Sequence, residues 1–114
     1  MSGKISWLYQ NQLVEVDCKN VVNAQLYIGQ GVVIAITEPS QDDRKLQGFA
    51  LDGSLSFEKE APQGYCFEYL SISNNQPSVV CDGGKSNVDV YGRSKWQFAI
   101  DNQIGDMTKE NLAY

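Results

Sequence analysis

Ten short runs of alternating or β-branched and aromatic residues divide the chain, none longer than eight residues and each bounded by turn formers. They are KISWLY (4–9), LVEVD (13–17), NAQLYI (23–28), VVIAIT (32–37), LQGFAL (46–51), SLSFE (54–58), YCFEYLSI (65–72), SVVC (78–81), VDVYG (88–92) and WQFAID (96–101). Runs of this length and period suit strands, and no segment carries the apolar periodicity of an amphipathic helix. The chain is therefore expected to form a single all-β domain over residues 1–114, antiparallel and rich in meanders. Its 114 residues are enough for one core and too few for two ordinary domains.

Between the runs stand Asn11-Gln12, Gly29-Gln30-Gly31, Asp52-Gly53, Asn74-Asn75-Gln76-Pro77 and Asp82-Gly83-Gly84. Such pairs tolerate the positive φ of tight hairpin turns. GFALDGSLSFE is the best hairpin, with Phe49, Leu51, Leu55 and Phe57 expected on a common face. In YCFEYLSI the period of two sets Tyr65, Phe67 and Tyr69 opposite Cys66, Glu68 and Leu70. The polar stretch TEPSQDDRK (37–45) reads as the longest connecting loop, and GDMTKENLAY as a final helical turn or an edge strand.

Gly84-Lys85-Ser86 resembles the end of a phosphate-binding loop, whose phosphate sits on backbone N–H groups and a helix N-terminus. The first glycine of that motif would fall at Val79, and a strand-like run follows Ser86, so the segment reads as a hairpin-type turn. With no histidine in the chain, Ser-His and Cys-His nucleophile pairs and histidine metal sites are excluded. The carboxylates Asp52, Glu58, Glu60, Glu68, Asp82, Asp89 and Asp101 stand mostly in turns and at strand ends, where Asp bonds its own backbone. DGSLSFE lacks the ligand spacing of a calcium loop. The expectation is no catalytic site, no metal and no cofactor.

Cys18, Cys66 and Cys81 are odd in number, lack C-x-x-C spacing and fall in or beside apolar runs, which predicts buried free thiols. The N-terminus alternates polar and apolar residues without a continuous apolar segment, so neither signal peptide nor membrane anchor is expected, and the location expected is cytoplasmic. Fourteen acidic against nine basic side chains give a formal charge of −5. That balance disfavours direct nucleic-acid binding and favours a basic protein partner.

The segment GFALDGSLSFEKEAPQGYCFEYLSISNNQPSVVCDGG (48–84) resembles one blade of a β-propeller, a hairpin with an Asp-Gly turn followed by two more strands and a Gly-rich exit. A propeller needs several blades of about forty residues, so the architectures expected are a sandwich, an open barrel or a propeller-like partial assembly. In size, charge and lack of catalytic motifs the chain resembles bacterial immunity proteins that cover the basic cleft of a nuclease toxin, such as those of contact-dependent growth inhibition. That resemblance implies a toxin-neutralising module that uses Glu38, Asp42 and Asp43, then Glu58 and Glu60, with Tyr91 or Trp96 as an aromatic anchor. The alternatives are a carbohydrate or small-ligand module built on Trp7 and Trp96, or a structural subunit pairing through strand edges.

Overall fold

The computed structural model describes residues 2–40, 43–88 and 92–112. Its strands are β1 (Ser2–Tyr9), β2 (Gln12–Lys19), β3 (Val21–Tyr27), β4 (Val32–Ser40), β5 (Asp43–Ala50), β6 (Leu55–Glu60), β7 (Cys66–Ser73), β8 (Gln76–Asp82), β9 (Lys95–Ile100) and β10 (Met107–Leu112). Every pairing is antiparallel, and the expected all-β class is what the chain adopts. β1 and β2 form a hairpin, β3-β4-β5-β6 one meander, and β7-β8-β9-β10 a second. The blade-like segment 48–84 is divided between the two meanders.

Three layers result, and β4 explains why. Val32, Ile34 and Ile36 face the second meander and share a core with Tyr27, Leu46, Phe57, Phe67, Leu70, Val79, Cys81, Phe98 and Ile100. On the opposite face Val33 packs with Phe49 against Trp7 and Cys18 of the hairpin, flanked by Ile5, Val14 and Val16. Because β4 is covered on both sides, VVIAIT is apolar without alternation, as a strand buried on both faces must be. Each buried aliphatic or aromatic side chain contributes about 1.5–3 kcal/mol relative to exposure, so the second, smaller core is what holds a hairpin that would be marginal alone.

The turns follow the sequence closely. β1 and β2 join through Gln10 and Asn11, and β7 and β8 through Asn74 and Asn75, with both central residues at positive φ in each case. That geometry matches the right-handed twist of the paired strands, and Asn tolerates it. The first turn lies one residue earlier than the expected Asn11-Gln12. Asn20, with φ 53°, alone carries the chain from β2 in the hairpin layer to β3 in the meander. Its side-chain amide donates to the Glu38 carbonyl at 3.1 Å and its carbonyl accepts from the Glu38 N–H at 2.9 Å.

Two bulges correct the expected faces. Gly48 pairs with Phe57 but Phe49 pairs with Leu55, so Ser56 is extra. Phe57 consequently enters the inter-meander core while Phe49 packs under the hairpin, and the four apolar residues do not share a face. In β7 the register shifts between Phe67 and Tyr69, so that Phe67 and Leu70 are both buried and Tyr69 is exposed. The stretch 37–45 is not a long loop either: β4 runs to Ser40 and β5 begins at Asp43, with Ser40 opposite Asp43. Conversely, Asp82-Gly83-Gly84 does not reverse the chain tightly, because β9 starts only at Lys95 and the Gly83 N–H donates to the Ser94 carbonyl at 2.8 Å. GDMTKENLAY forms the edge strand β10, its last two residues lying outside the described residues, as does most of the expected VDVYG strand.

The thiols are all free, and Cys18 and Cys81 are buried as expected, but Cys66 is exposed because it starts β7 on the face away from the core. Native protein should therefore present one thiol to Ellman's reagent and release the other two only on unfolding. Burial pushes the Cys81 thiol from its ordinary 9.0 up to about 12. The folded state then holds that proton more tightly than the unfolded chain, so the contribution is intact below pH 9 and is lost as pH rises toward 12. Urea unfolding above pH 9 should show this loss, and C81A should reduce it, leaving the part due to the Cys18 thiol and the Tyr27 hydroxyl, which burial raises as well.

Gly48 has no room for a side chain, since a Cβ there would stand 2.1 Å from Phe57 Cζ. G48A should destabilise by about 1–3 kcal/mol through overpacking. G29A, with nothing within 4 Å of the added carbon, should stay within about 0.5 kcal/mol of the parent in the same urea titrations.

Candidate partner-binding surface

The outward face of the hairpin and the uncovered part of the first meander form one continuous side of the molecule. Alternation in β1 and β2 turns Ile5, Trp7, Val14, Val16 and Cys18 inward and leaves Lys4, Ser6, Leu8, Leu13, Glu15, Asp17 and Lys19 exposed. The hairpin covers β4 and the end of β5 at Phe49; beyond it the face is apolar on the β3 side, where Ala24 and Leu26 are exposed, and polar on the β5–β6 side, where Lys45 and Gln47 stand opposite Glu60 and Glu58 and Asp43 lies next along β5. Gly53, whose Cβ would lie 2.9 Å from Val14 Cγ1, seats the turn after β5 against the hairpin and brings Asp52 and Leu55 beside it.

Lys45 organises the β5–β6 strip. Its ammonium donates to Glu60 Oε1 at 2.9 Å and stands 3.9 Å from Asp43 Oδ1, while the Gln47 amide donates to Glu58 Oε2 at 2.7 Å. The hydrogen bond to Lys45 lowers the Glu60 pKa, and the same bond raises that of Lys45. At the adjacent turn the Ser54 N–H and hydroxyl bond Asp52 Oδ1 at 3.0 and 2.7 Å, and the backbone donor holds this carboxyl below its ordinary value.

Glu38 does not belong to that strip. It points to the opposite side of the first meander, where Arg44 Nε donates to its Oε2 at 3.0 Å and Arg44 Nη1 donates to the Phe67 carbonyl at 2.8 Å. The Phe67 carbonyl stands where the β7 bulge interrupts the ladder, so Glu38 and Arg44 tie the two meanders together. Asp42 and Tyr91 lie outside the described residues. Trp96 stands far from the acidic strip, partly buried at the start of β9, its indole N–H donating to the Asn87 carbonyl at 2.7 Å. Trp7 is buried beneath the hairpin with its N–H bonded to the Leu51 carbonyl at 2.8 Å, so the two tryptophans occupy different layers and form no shared platform.

The sequence reading passed over the apolar members of this side. Leu8 and Leu13 face each other across the hairpin and are 71% and 61% exposed, and Leu55 is 57% exposed. The signal was present: in strict alternation Leu8 and Leu13 take the parity of Ser6 and Glu15, the solvent side. Leu26, Ile28, Ile72 and Ile104 are exposed as well; Ile28 and Ile104 stand on turns and Ile72 near the end of β7, a region joined through Gln30, which bonds the Asn75 carbonyl and accepts from Asn102 at 3.1 Å.

The chemistry-bearing groups elsewhere are engaged in structure. Gly84–Ser86 is one turn of 3-10 helix, with no longer helix opening there, and Asp82 Oδ1 accepts from the Gly84 N–H at 2.9 Å, which lowers its pKa. Asp101 likewise accepts from Gln103 and Ile104 N–H groups. Among the described residues no three His, Cys, Asp or Glu side chains gather as a metal would require, and no helix is long and apolar enough to cross a membrane.

The division between architectural and free charge is measurable. R44A removes a charged hydrogen bond to the Phe67 carbonyl and should cost about 1.5–3 kcal/mol in chemical denaturation, whereas K45A, whose partners on the outer strip are exposed, should change stability by at most about 1 kcal/mol. Compared with known proteins, the chain matches no family model, no curated protein and no solved structure.

Proposed function

We propose that this chain is a small acidic protein-binding module of the immunity type, which neutralises a basic nuclease toxin inside the cell that makes both. The observation that carries the reading is the composition of one side of the molecule: exposed Leu8, Leu13 and Leu55 stand among Glu15, Asp17, Asp43, Asp52, Glu58 and Glu60, with Lys4, Lys19 and Lys45 as the opposing charges. Exposed apolar side chains interspersed with charged ones suit a protein interface, and net negative charge steers association with a basic partner. All of these carboxylates but Asp52, which its turn holds through Ser54, stand on paired strands, so little ordering entropy opposes binding.

In this reading the leucines give affinity and the carboxylates give on-rate and choice of partner. The test is calorimetric titration against the basic product of the neighbouring reading frame, at low and high salt, with nuclease activity followed in parallel. The triple variant D43N/E58Q/E60Q should slow association and flatten the salt dependence, while L8S/L13S should cost about 1 kcal/mol or more, chiefly in off-rate. Absence of a complex at low salt, or variants indistinguishable from the parent, would sink the proposal.

A further inference from the structure

Where β9, β10 and the turn preceding β7 meet, an aromatic cluster holds a cation supplied by the chain itself. Lys109 Nζ stands 3.9 Å from the Trp96 ring centroid and 5.5 Å from that of Tyr65, and donates to the Tyr65 hydroxyl at 2.8 Å. Neither ring depends on the lysine for its position. Trp96 is fixed by its bond to the Asn87 carbonyl at 2.7 Å. Tyr65 meets Phe98 edge to face, with centroids 5.1 Å apart and planes at 77°, and its N–H closes a turn onto the Pro62 carbonyl at 2.9 Å. Lys109, by contrast, is an exposed side chain on the edge strand.

A fixed pair of aromatic faces with an exposed cation over it is a preorganised receptor whose ligand happens to be internal. Beside Tyr65 lies an open cleft of about 370 Å³, lined also by Gly64, Cys66, Asp82, Gly83 and Gly84. We propose that Tyr65 and Trp96 form a recognition site for a side-chain cation of a binding partner, an arginine by preference, and that Lys109 is the stand-in it displaces. Exchange replaces one positive charge by another, so the local field changes little. A guanidinium gains on the ammonium because it stacks flat on indole and still donates to the Tyr65 hydroxyl. The identity of the ligand's bearer rests on the protein-binding reading above, while the site's chemistry does not.

The experiment is a tryptophan-fluorescence titration of the whole chain with N-acetyl-argininamide and N-acetyl-lysinamide. Trp7 is buried and bonded beneath the hairpin, so Trp96 is the reporter, and W96F should abolish the response. K109A and K109Q, the second guarding against any effect of alanine on the edge strand, should bind the arginine probe about tenfold more tightly than the parent, and more tightly than the lysine probe. An unsaturable response in both variants, or one midpoint for parent and variants, overturns the site; a tighter lysine probe overturns the preference for arginine. Because no protein partner is used, saturable binding alongside a failed toxin titration would remove the proposed function and leave this site standing, and the converse would do the reverse.

Discussion

Everything in this fold is arranged around a strand that has no solvent side. β4 is buried on both faces from Val32 to Thr37, and its backbone groups are shared with β3 and β5, so it cannot be satisfied until three separate pieces of chain have been brought to it. The hairpin supplies one cover and the second meander the other. A sheet buried on one face alone would have left Val33 and Phe49 open to water, and the short β1–β2 hairpin without a surface on which to be stable.

That arrangement also separates the two kinds of charge in the chain. Between the meanders, Glu38 and Arg44 bridge to β7 at its bulge, where the guanidinium donates to the Phe67 carbonyl. On the outer side, Asp43, Glu58 and Glu60 make contacts of the exposed kind, worth little to folding. These carboxylates, with the leucines beside them, are the groups on which the proposed partner binding rests.

The all-β class, nine of the ten strands and the Asn-rich turns were legible because they are local properties: period two and tolerance of positive φ are written in a few adjacent residues. The bulges at Ser56 and Glu68 were not, since an extra residue in a strand is decided by its partner; Phe57 is drawn inward by the empty space over Gly48, which no reading of SLSFE alone reveals. TEPSQDDRK looked like a loop through its polarity, but residues 37–40 and 43–45 are the ends of β4 and β5. Of the proposed surface, Glu58 and Glu60 were named from charge and strand position, and the structure places both exposed on the outer face of β6, while Leu8 and Leu13 were not singled out. Glu38 was grouped with Asp43 by nearness in sequence, although the sheet places them on opposite sides.

Phe57 bears on how the layers stay aligned. Its ring lies over Gly48 within its own meander and against Gly105 in the loop before β10 of the other, where an added Cβ would come within 2.4 Å of the ring. Two flat-packed sheets resist separation through buried area, but area alone offers little resistance to sliding, because apolar contact is nearly indifferent to small lateral shifts. A ring seated in two glycine hollows behaves as a dowel between boards: the sheets can slip only by lifting apart first. The cost of shear is thereby converted into the cost of opening the core, and the outer face keeps a fixed shape.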